Sequence, residues 1–241
     1  MKSCEKSYFL VVFRRMTDNK NDIKSALLSV GAHFGFGRSR RHATTKKRIL
    51  GNKNGTDIID IEQTALEIER ASAYMAELVK EGKTILFVGT KPEIREILVK
   101  AADTLSMPYV QNRWSGGILT NWSEIKKRIE KRNALIKDKE TGAFEKYTKK
   151  ERMILNNDLR KMSDFFGGME NMSKLPDALF VIDPRQEDVA VKEAIDLNIP
   201  VISILNTDCS MKGISYPIVA NDASRQSVSK IVSEIVATCR K

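Results

Sequence analysis

The sequence predicts a three-layer α/β/α fold, in which helices cover both faces of a mostly parallel sheet, with an inserted antiparallel helical (coiled-coil) hairpin. The first observation is that short, continuously apolar runs alternate with longer amphipathic segments, a pattern typical of α/β domains. The second is a central stretch, residues 113–172, that carries two heptad-like apolar seams, as coiled coils do.

Three runs predict fully buried strands, because nearly every residue in them is apolar or β-branched. They are Thr84–Val88, Ala178–Ile182 and Val201–Leu205. Ile58–Ile61 and Tyr109–Val110 are weaker strand candidates. Because helical segments separate these runs, we expect crossover connections and therefore parallel strands.

Four helices are predicted between and after these strands. In Glu62–Val79, apolar side chains recur at helical spacing and would share one face. Pro92 suits a first helical turn, so a second helix is expected from there to about Thr104. Glu187–Leu197 and Ala223–Thr238 complete the set.

The central stretch interrupts this alternation with two apolar seams. One seam comprises Ile118, Trp122, Ile125 and Ile129, and the other comprises Leu155, Leu159, Met162, Phe166 and Met169. Asn121 with Glu124, and Thr148 with Glu151, give each predicted helix an N-cap and an acidic residue three positions later. Polar residues 138–146 are expected to form the tip of the hairpin. The alternative interpretation is two ordinary surface helices.

The predicted organisation is one α/β domain, formed by residues 23–112 and 173–241, with the hairpin inserted between its two parts. Residues 1–22 are expected to be a flexible N-terminal extension. Met16 begins a polar segment that leads directly into the first glycine-rich motif, so residues 1–15 are expected to lie upstream of the folded protein. The alternative for this extension is a short organellar targeting remnant.

The composition excludes several protein classes. Hydrophobic residues make up 41% of the chain and charged residues 30%, which is typical of globular proteins. Cys4, Cys209 and Cys239 form no C-x-x-C pair, which argues against a disulfide framework or a zinc site. His33 and His42 are the only histidines. We expect a reduced compartment, no membrane association because no run is long enough to span a bilayer, and no metal or cofactor.

Positive charge is concentrated in two segments. Across the chain 41 basic residues outnumber 31 acidic ones. Residues 23–56 hold eight basic and no acidic side chains, and residues 113–172 hold fourteen against nine, whereas residues 57–112 hold six against ten and residues 173–241 eight against nine. Such segments favour polyanionic partners, because neutralised phosphates release counterions.

Residues 31–55 combine glycines with basic and aromatic residues. Gly31, Gly35 and Gly37 have a G-x-x-x-G-x-G spacing, unlike dinucleotide or Walker motifs, and no predicted strand precedes them. Glycines let a backbone approach phosphates closely, and the surrounding cations can then bind those phosphates. Phe34 and Phe36 would either anchor the loop in the core, which is the commoner role, or stack on an unpaired base.

Gly89-Thr90-Lys91 supports a rival hypothesis, a nucleotide-using enzyme. It follows a predicted strand and precedes a helix, where anions often bind. However, the chain contains no G-x-x-x-x-G-K-[ST] motif. Asp183 follows another strand, with Glu187 and Asp188 nearby, but such carboxylates are equally common as helix caps. With no histidine in the second half to act as a base, we assign no catalytic residue.

The stretch Arg113–Asn121 reads RWSGGILTN. Its glycines permit a sharp turn into the hairpin, and Trp114 would either pack or stack. Together with the cations of the two basic segments, it completes the candidate RNA-binding set. The set is Lys24, Arg38, Arg40, Arg41, Lys46, Lys47, Arg48, Lys53, Arg113, Trp114, Lys126 and Lys127.

Several ordered stretches resemble the bacterial form of the universal small-subunit ribosomal protein two. They are GAHFG at Gly31–Gly35, G-x-x-N-G at Gly51–Gly55, ILFVGTK at Ile85–Lys91, PYVQNRWSGGILTN at Pro108–Asn121, TKKE at Thr148–Glu151, LPDALFVID at Leu175–Asp183, AVKEA at Ala190–Ala194, IPVI at Ile199–Ile202 and NDA at Asn221–Ala223. The resemblance covers about residues 23–236.

This resemblance implies a parallel sheet between helices with a protruding coiled-coil hairpin. It also implies a non-catalytic protein that binds small-subunit rRNA between the head and body of the small ribosomal subunit, on its solvent side. The partners would be other small-subunit proteins, including the large mRNA-binding ribosomal protein one. The location would be a ribosome of the cytoplasm or of an organelle, with no small-molecule substrate.

The chain departs from the family pattern at three places. Arg41-His42-Ala43 stands where the family commonly has Trp-Asn-Pro, Phe36-Gly37 replaces His-Gln, and Asn206 replaces an aspartate. Roles tied to those family side chains, including a metal site at the last position, are therefore not carried over. Besides the enzyme, a pure protein-interaction scaffold stays open as an alternative, because Glu62–Glu81 is an acidic helix.

Overall fold

The main sheet has five parallel strands. A computed structural model of the chain describes residues 22–170 and 172–240, so the predictions for residues 1–21 lie outside the described residues. The strands are β4 (Ile85–Val88), β5 (Tyr109–Val110), β6 (Ala178–Ile182), β7 (Val201–Leu205) and β8 (Tyr216–Val219), in the order β5-β4-β6-β7-β8. Every neighbouring pair runs parallel, which confirms the predicted mixed α/β fold with a mostly parallel sheet.

Seven α-helices accompany the strands in the described part of the chain. They are α1 (residues 22–29), α2 (Ile61–Lys80), α3 (Arg95–Leu105), α4 (Trp122–Glu140), α5 (Lys149–Phe166), α6 (Asp188–Asp196) and α7 (Arg225–Cys239). The helix predicted from Pro92 begins three residues later, after a turn at residues 92–94. None of these described helices has the length and apolar composition to cross a membrane.

Helices cover both faces of the sheet because the side chains of a strand alternate between its faces. Phe87 and Phe180 point into an apolar cluster shared with α2, α3 and α7. Leu86 and Val181 point into a second cluster, shared with α6 and with residues around both ends of the 113–172 segment. The segment therefore packs against the body at both of its ends.

A second sheet, which the sequence did not predict, lies within the N-terminal basic segment. Its strands β1 (Phe34–Gly37), β2 (Ile49–Lys53) and β3 (Thr56–Ile59) are antiparallel, in the order β1-β3-β2. Short 3₁₀ helices, Arg38–Arg40 and Ala43–Arg48, connect β1 to β2. The candidate strand Ile58–Ile61 ends at Ile59, because Asp60 caps α2 by accepting the backbone N–H groups of Glu62 and Gln63.

Helices α4 and α5 are joined by a loop that contains a 3₁₀ helix, Ala143–Lys146. Arg132 Nε of α4 donates to Ser163 Oγ of α5 at 3.1 Å, and Leu159 is buried. Thr148 and Glu151 form the predicted capping box. Asn121 holds the N-cap position of α4, but its side chain makes no capping hydrogen bond.

Candidate nucleic-acid interface

Thr207, which follows β7, fixes the small sheet to the body. Its hydroxyl accepts the backbone N–H of Phe36 at 2.9 Å, and its carbonyl accepts the backbone N–H of His42 and the hydroxyl of Thr45, both at 2.8 Å. A Cβ on Gly35 would lie only 2.6 Å from Thr207 Cγ2. Glycine is therefore required where the two sheets approach each other.

Arg41 pairs with a buried carboxylate. Its Nε and Nη2 donate to the two Asp57 oxygens at 2.7 and 2.5 Å, and Asn52 donates to the same carboxylate at 2.9 Å. Asp57 is fully buried on β3. The hydrogen bond from Arg41 lowers the pKa of Asp57 and keeps it ionised. In this structure Arg41 therefore ties the 3₁₀ segment to the sheet.

Two more predicted cations pair with acidic residues of α2. Arg48 Nε lies 2.5 Å from Glu67 Oε1, and the other oxygen of Glu67 accepts the Val219 N–H at 2.9 Å. Burial raises the pKa of Glu67 despite these bonds. Lys24 Nζ lies 2.7 Å from Glu62, whose side chain is exposed. Three of the eight cations between residues 23 and 56 are thus paired within the protein.

The other five cations of this segment are exposed to solvent. They are Arg38, Arg40, Lys46, Lys47 and Lys53. None of them forms an ion pair with a residue that the structure describes. The guanidinium carbon of Arg40 lies 5.6 Å from the centre of the Phe36 ring, a cation–π distance. Phe34 is 47% exposed. This surface has the free charge and the exposed aromatic that RNA-binding proteins use.

Trp114 lies in the core at the start of the 113–172 segment, 8% exposed. Its Nε1 donates to Glu193 at 3.1 Å, and the same carboxylate accepts the backbone N–H groups of Gly117, Leu119 and Thr120. Burial alone would raise the pKa of Glu193, but the hydrogen bonds from these donors have the larger effect. The pKa of Glu193 is therefore lowered. The indole thus orders the turn that leads into α4.

The remaining predicted cations lie near this turn. Arg113 and Lys126 are exposed and form no ion pair with another described residue. Lys127 pairs with Glu124 at 2.6 Å on the exposed surface of α4. An exposed pair of this kind contributes little to stability, so Lys127 can exchange its partner for a phosphate.

The carboxyl edge of the main sheet, where α/β proteins usually bind ligands, is filled by the protein's own side chains. Lys91 Nζ lies 2.7 Å from Asp183 and 3.0 Å from Asp222. Burial alone would lower the pKa of Lys91, but the charges of Asp222 and Asp183 have the larger effect. The pKa of Lys91 is therefore raised. Thr90 donates its hydroxyl and its N–H to Glu187, at 2.5 and 3.0 Å. The groups that would hold a nucleotide phosphate are already engaged, which disfavours the enzyme hypothesis.

Three donors at this edge could in principle share a cation. The ligand atoms of Asp183, Cys209 and Asp222 lie within 4.8 Å of one another. However, the Lys91 ammonium already compensates both carboxylates, and the Cys209 Sγ lies at hydrogen-bond distance, 3.6 Å, from Asp183. The cluster is therefore explained as an internal ion-pair network.

Comparison with known proteins gives a consistent result. Residues 27–241 match the family model described as Ribosomal protein S2. The protein named Small ribosomal subunit protein uS2 of Dictyoglomus thermophilum is 42% identical over 209 residues, which cover 87% of this chain and 85% of that protein. The protein of the same name from Nocardia farcinica is 42% identical over 214 residues, covering 88% and 75%. That of Micrococcus luteus is 41% identical over 215 residues, covering 88% and 75%.

The family match explains why the ordered stretches, from the GAHFG motif of β1 to the LPDALFVID of β6, occur in one chain. It spans the small sheet, the main sheet and the 113–172 segment alike. The chain belongs to the ribosomal protein S2 family.

Proposed function

We propose that this protein is a structural constituent of the small ribosomal subunit and that it binds small-subunit rRNA. Family membership supports this proposal, because the relatives named above are small ribosomal subunit proteins. The observation that carries it is the set of five exposed, unpaired cations in β2 of the small sheet and in the 3₁₀ helices that join β1 to β2, defined above as Arg38, Arg40, Lys46, Lys47 and Lys53. We call this set the basic face.

The geometry of the basic face suits a fixed phosphate surface. Thr207 holds the sheet against the body through three hydrogen bonds, and Arg41 locks the intervening segment to Asp57. Cations on a rigid support lose less entropy when they bind than cations on a loose arm. Because phosphate contacts fix position without reading sequence, the basic face would set the orientation of the protein on folded rRNA.

The finer assignments extend this proposal. Residues 113–172 form an inserted antiparallel coiled-coil hairpin in the α/β domain of residues 23–112 and 173–241, supported by the Arg132–Ser163 contact. The acidic helix α2 faces other small-subunit proteins, among them ribosomal protein one. The complex is a cytoplasmic or organellar ribosome, and the protein has no catalytic role.

Substituting part of the basic face tests RNA binding directly. Arg40→Gln, Lys46→Gln and Lys47→Gln together should weaken binding of the full chain to small-subunit rRNA. The slope of log affinity against log salt should fall in magnitude by about 0.7–0.9 for each lost phosphate contact.

The matched control changes three exposed basic residues elsewhere, Lys80, Lys100 and Arg240, to glutamine. It carries the same loss of charge, so it separates a local contact from the effect of net charge. Equal affinities and slopes for the two triple variants would contradict the proposed RNA surface.

A further inference from the structure

The TKKE motif at Thr148–Glu151 has a structural role for only half of its residues. Thr148 caps α5, and Glu151 accepts both the backbone N–H and the hydroxyl of Thr148 at 2.9 Å. Lys149 and Lys150 take no part in this capping box, and both are exposed. Their side chains are available to a ligand outside the protein.

These lysines belong to a larger positively charged surface at the loop between α4 and α5. Lys146 and Arg152 are also exposed, and none of the four cations forms an ion pair with a described residue. Residues 145–152 hold four basic and two acidic side chains, a formal net charge of +2. The Glu151 carboxylate stays ionised in the capping box, because the hydrogen bonds from Thr148 lower its pKa. Positive charge is therefore in excess here, but only in part uncompensated.

An exposed aromatic side chain lies among these cations. Tyr147 is 47% exposed, whereas Phe144, which it contacts edge-on at a centroid distance of 6.3 Å, is 7% exposed. The phenylalanine is buried, and its tyrosine partner keeps nearly half of its surface exposed. Proteins use an exposed aromatic ring together with neighbouring cations to stack an unpaired base and bind its phosphates.

We propose that Lys146, Tyr147, Lys149, Lys150 and Arg152, here called the tip patch, bind a single-stranded segment of RNA. The cations contact its phosphates, and Tyr147 stacks on an unpaired base. This inference rests on the proposed function and adds a second RNA contact, separate from the basic face. The charge favours RNA over a protein partner, although the exposed Met153 and Ile154 next to the patch are the residues that a protein partner would cover.

Binding of the full-length chain to small-subunit rRNA tests this proposal. Tyr147→Ala should lower affinity about fivefold or more, as expected for one lost base stack, whereas Tyr147→Phe should bind as the unaltered chain does. Lys149→Gln with Lys150→Gln should reduce the salt slope by about 0.7 per lost contact to a single strand. Because all three residues are exposed, the thermal unfolding midpoints should stay unchanged.

The controls distinguish this inference from the proposed function. If the tip variants bind normally while the Arg40, Lys46 and Lys47 variant is weakened, the tip patch is wrong and the proposed function stands. If that basic-face variant also binds normally, the proposed function itself fails. Met153→Ser with Ile154→Ser should leave rRNA binding intact. If it alone weakens association with assembled subunits, a protein contact replaces the RNA contact.

Discussion

The Asp57 carboxylate, the first acidic group after the acid-free stretch, controls the local structure of the basic segment. It is fully buried and holds Arg41 through two hydrogen bonds. Asp57→Asn should destabilise the fold by about 1.5–3 kcal/mol, the range for a hydrogen bond to a charged group. Urea unfolding at pH 7 measures the difference, with the exposed Asp103→Asn as a control that should change little.

The same substitution should alter the acid dependence of stability. Arg41 lowers the pKa of Asp57 from its ordinary value of 3.8. A carboxyl with a depressed folded pKa stabilises the fold above its unfolded pKa, and this contribution disappears as the pH falls through the folded value. The difference between wild type and Asp57→Asn should therefore shrink below about pH 4. An unchanged difference at low pH would contradict this role of the carboxylate.

The docking of one sheet on another depends on Gly35. A Cβ at this position would clash with the methyl group of Thr207, so Gly35→Ala should loosen the small sheet and lower stability. Thr207→Ser removes that methyl group and keeps the hydroxyl that binds Phe36, so it should partly rescue the alanine variant. A double-mutant cycle by urea unfolding measures the coupling. Strictly additive effects would show that the two residues do not meet.

The pairing of α4 with α5 has its own test. Leu159 is 8% exposed on α5, whereas Met153 on the same helix is 60% exposed. Leu159→Ala should cost about 2–5 kcal/mol, as buried leucines do, and Met153→Ala should stay within about 0.5 kcal/mol. Equal effects would contradict the hairpin and favour two independent surface helices. Chemical unfolding followed by circular dichroism provides the comparison.

At the level of elements, continuous apolar runs predicted the buried strands well. The short strands that contain polar residues or glycine were not predicted from the sequence. Ala178–Ile182, Val201–Leu205 and Tyr109–Val110 were predicted with the bounds that the structure shows. Strand β8 was not predicted because Pro217 and the polar residues around it break the apolar pattern. Strand β1 reads FGFG and β2 reads ILGNK. Both contain glycine, which is depleted in strands, and β2 is mostly exposed, so the small sheet was not predicted.

The candidate site was predictable as a segment but not as individual contacts. The concentration of charge at residues 23–56 is visible in the sequence, yet three of its cations pair with Asp57, Glu62 and Glu67. These acids lie just beyond the acid-free stretch, and only the fold brings them back to it. The sequence likewise left open whether Trp114 packs or stacks, because its acceptor Glu193 is 79 residues away.

At the scale of the whole molecule, one lysine connects strand ends that lie on either side of the 113–172 segment in the sequence. The sheet order places β4 of the first part beside β6 of the second. Lys91, after β4, contacts Asp183 after β6 and Asp222 after β8. The β4–β6 ladder and this ion-pair network therefore join residues on either side of the 113–172 segment.

Removing this cation should destabilise the fold. Lys91→Met leaves two buried carboxylates without compensation, which should cost about 3–5 kcal/mol at pH 7. Burial raises the pKa of Asp222 and Lys91 partly offsets that rise, so the pKa rises further in the variant. A carboxyl with a raised folded pKa stabilises the fold increasingly as the pH falls, and the variant should recover part of the loss at about pH 5.

Lys100→Met, an exposed change of equal charge, should show neither effect. A loss that is the same at both pH values would mean that packing of the lysine stem, rather than its charge, stabilises the carboxyl edge of the main sheet.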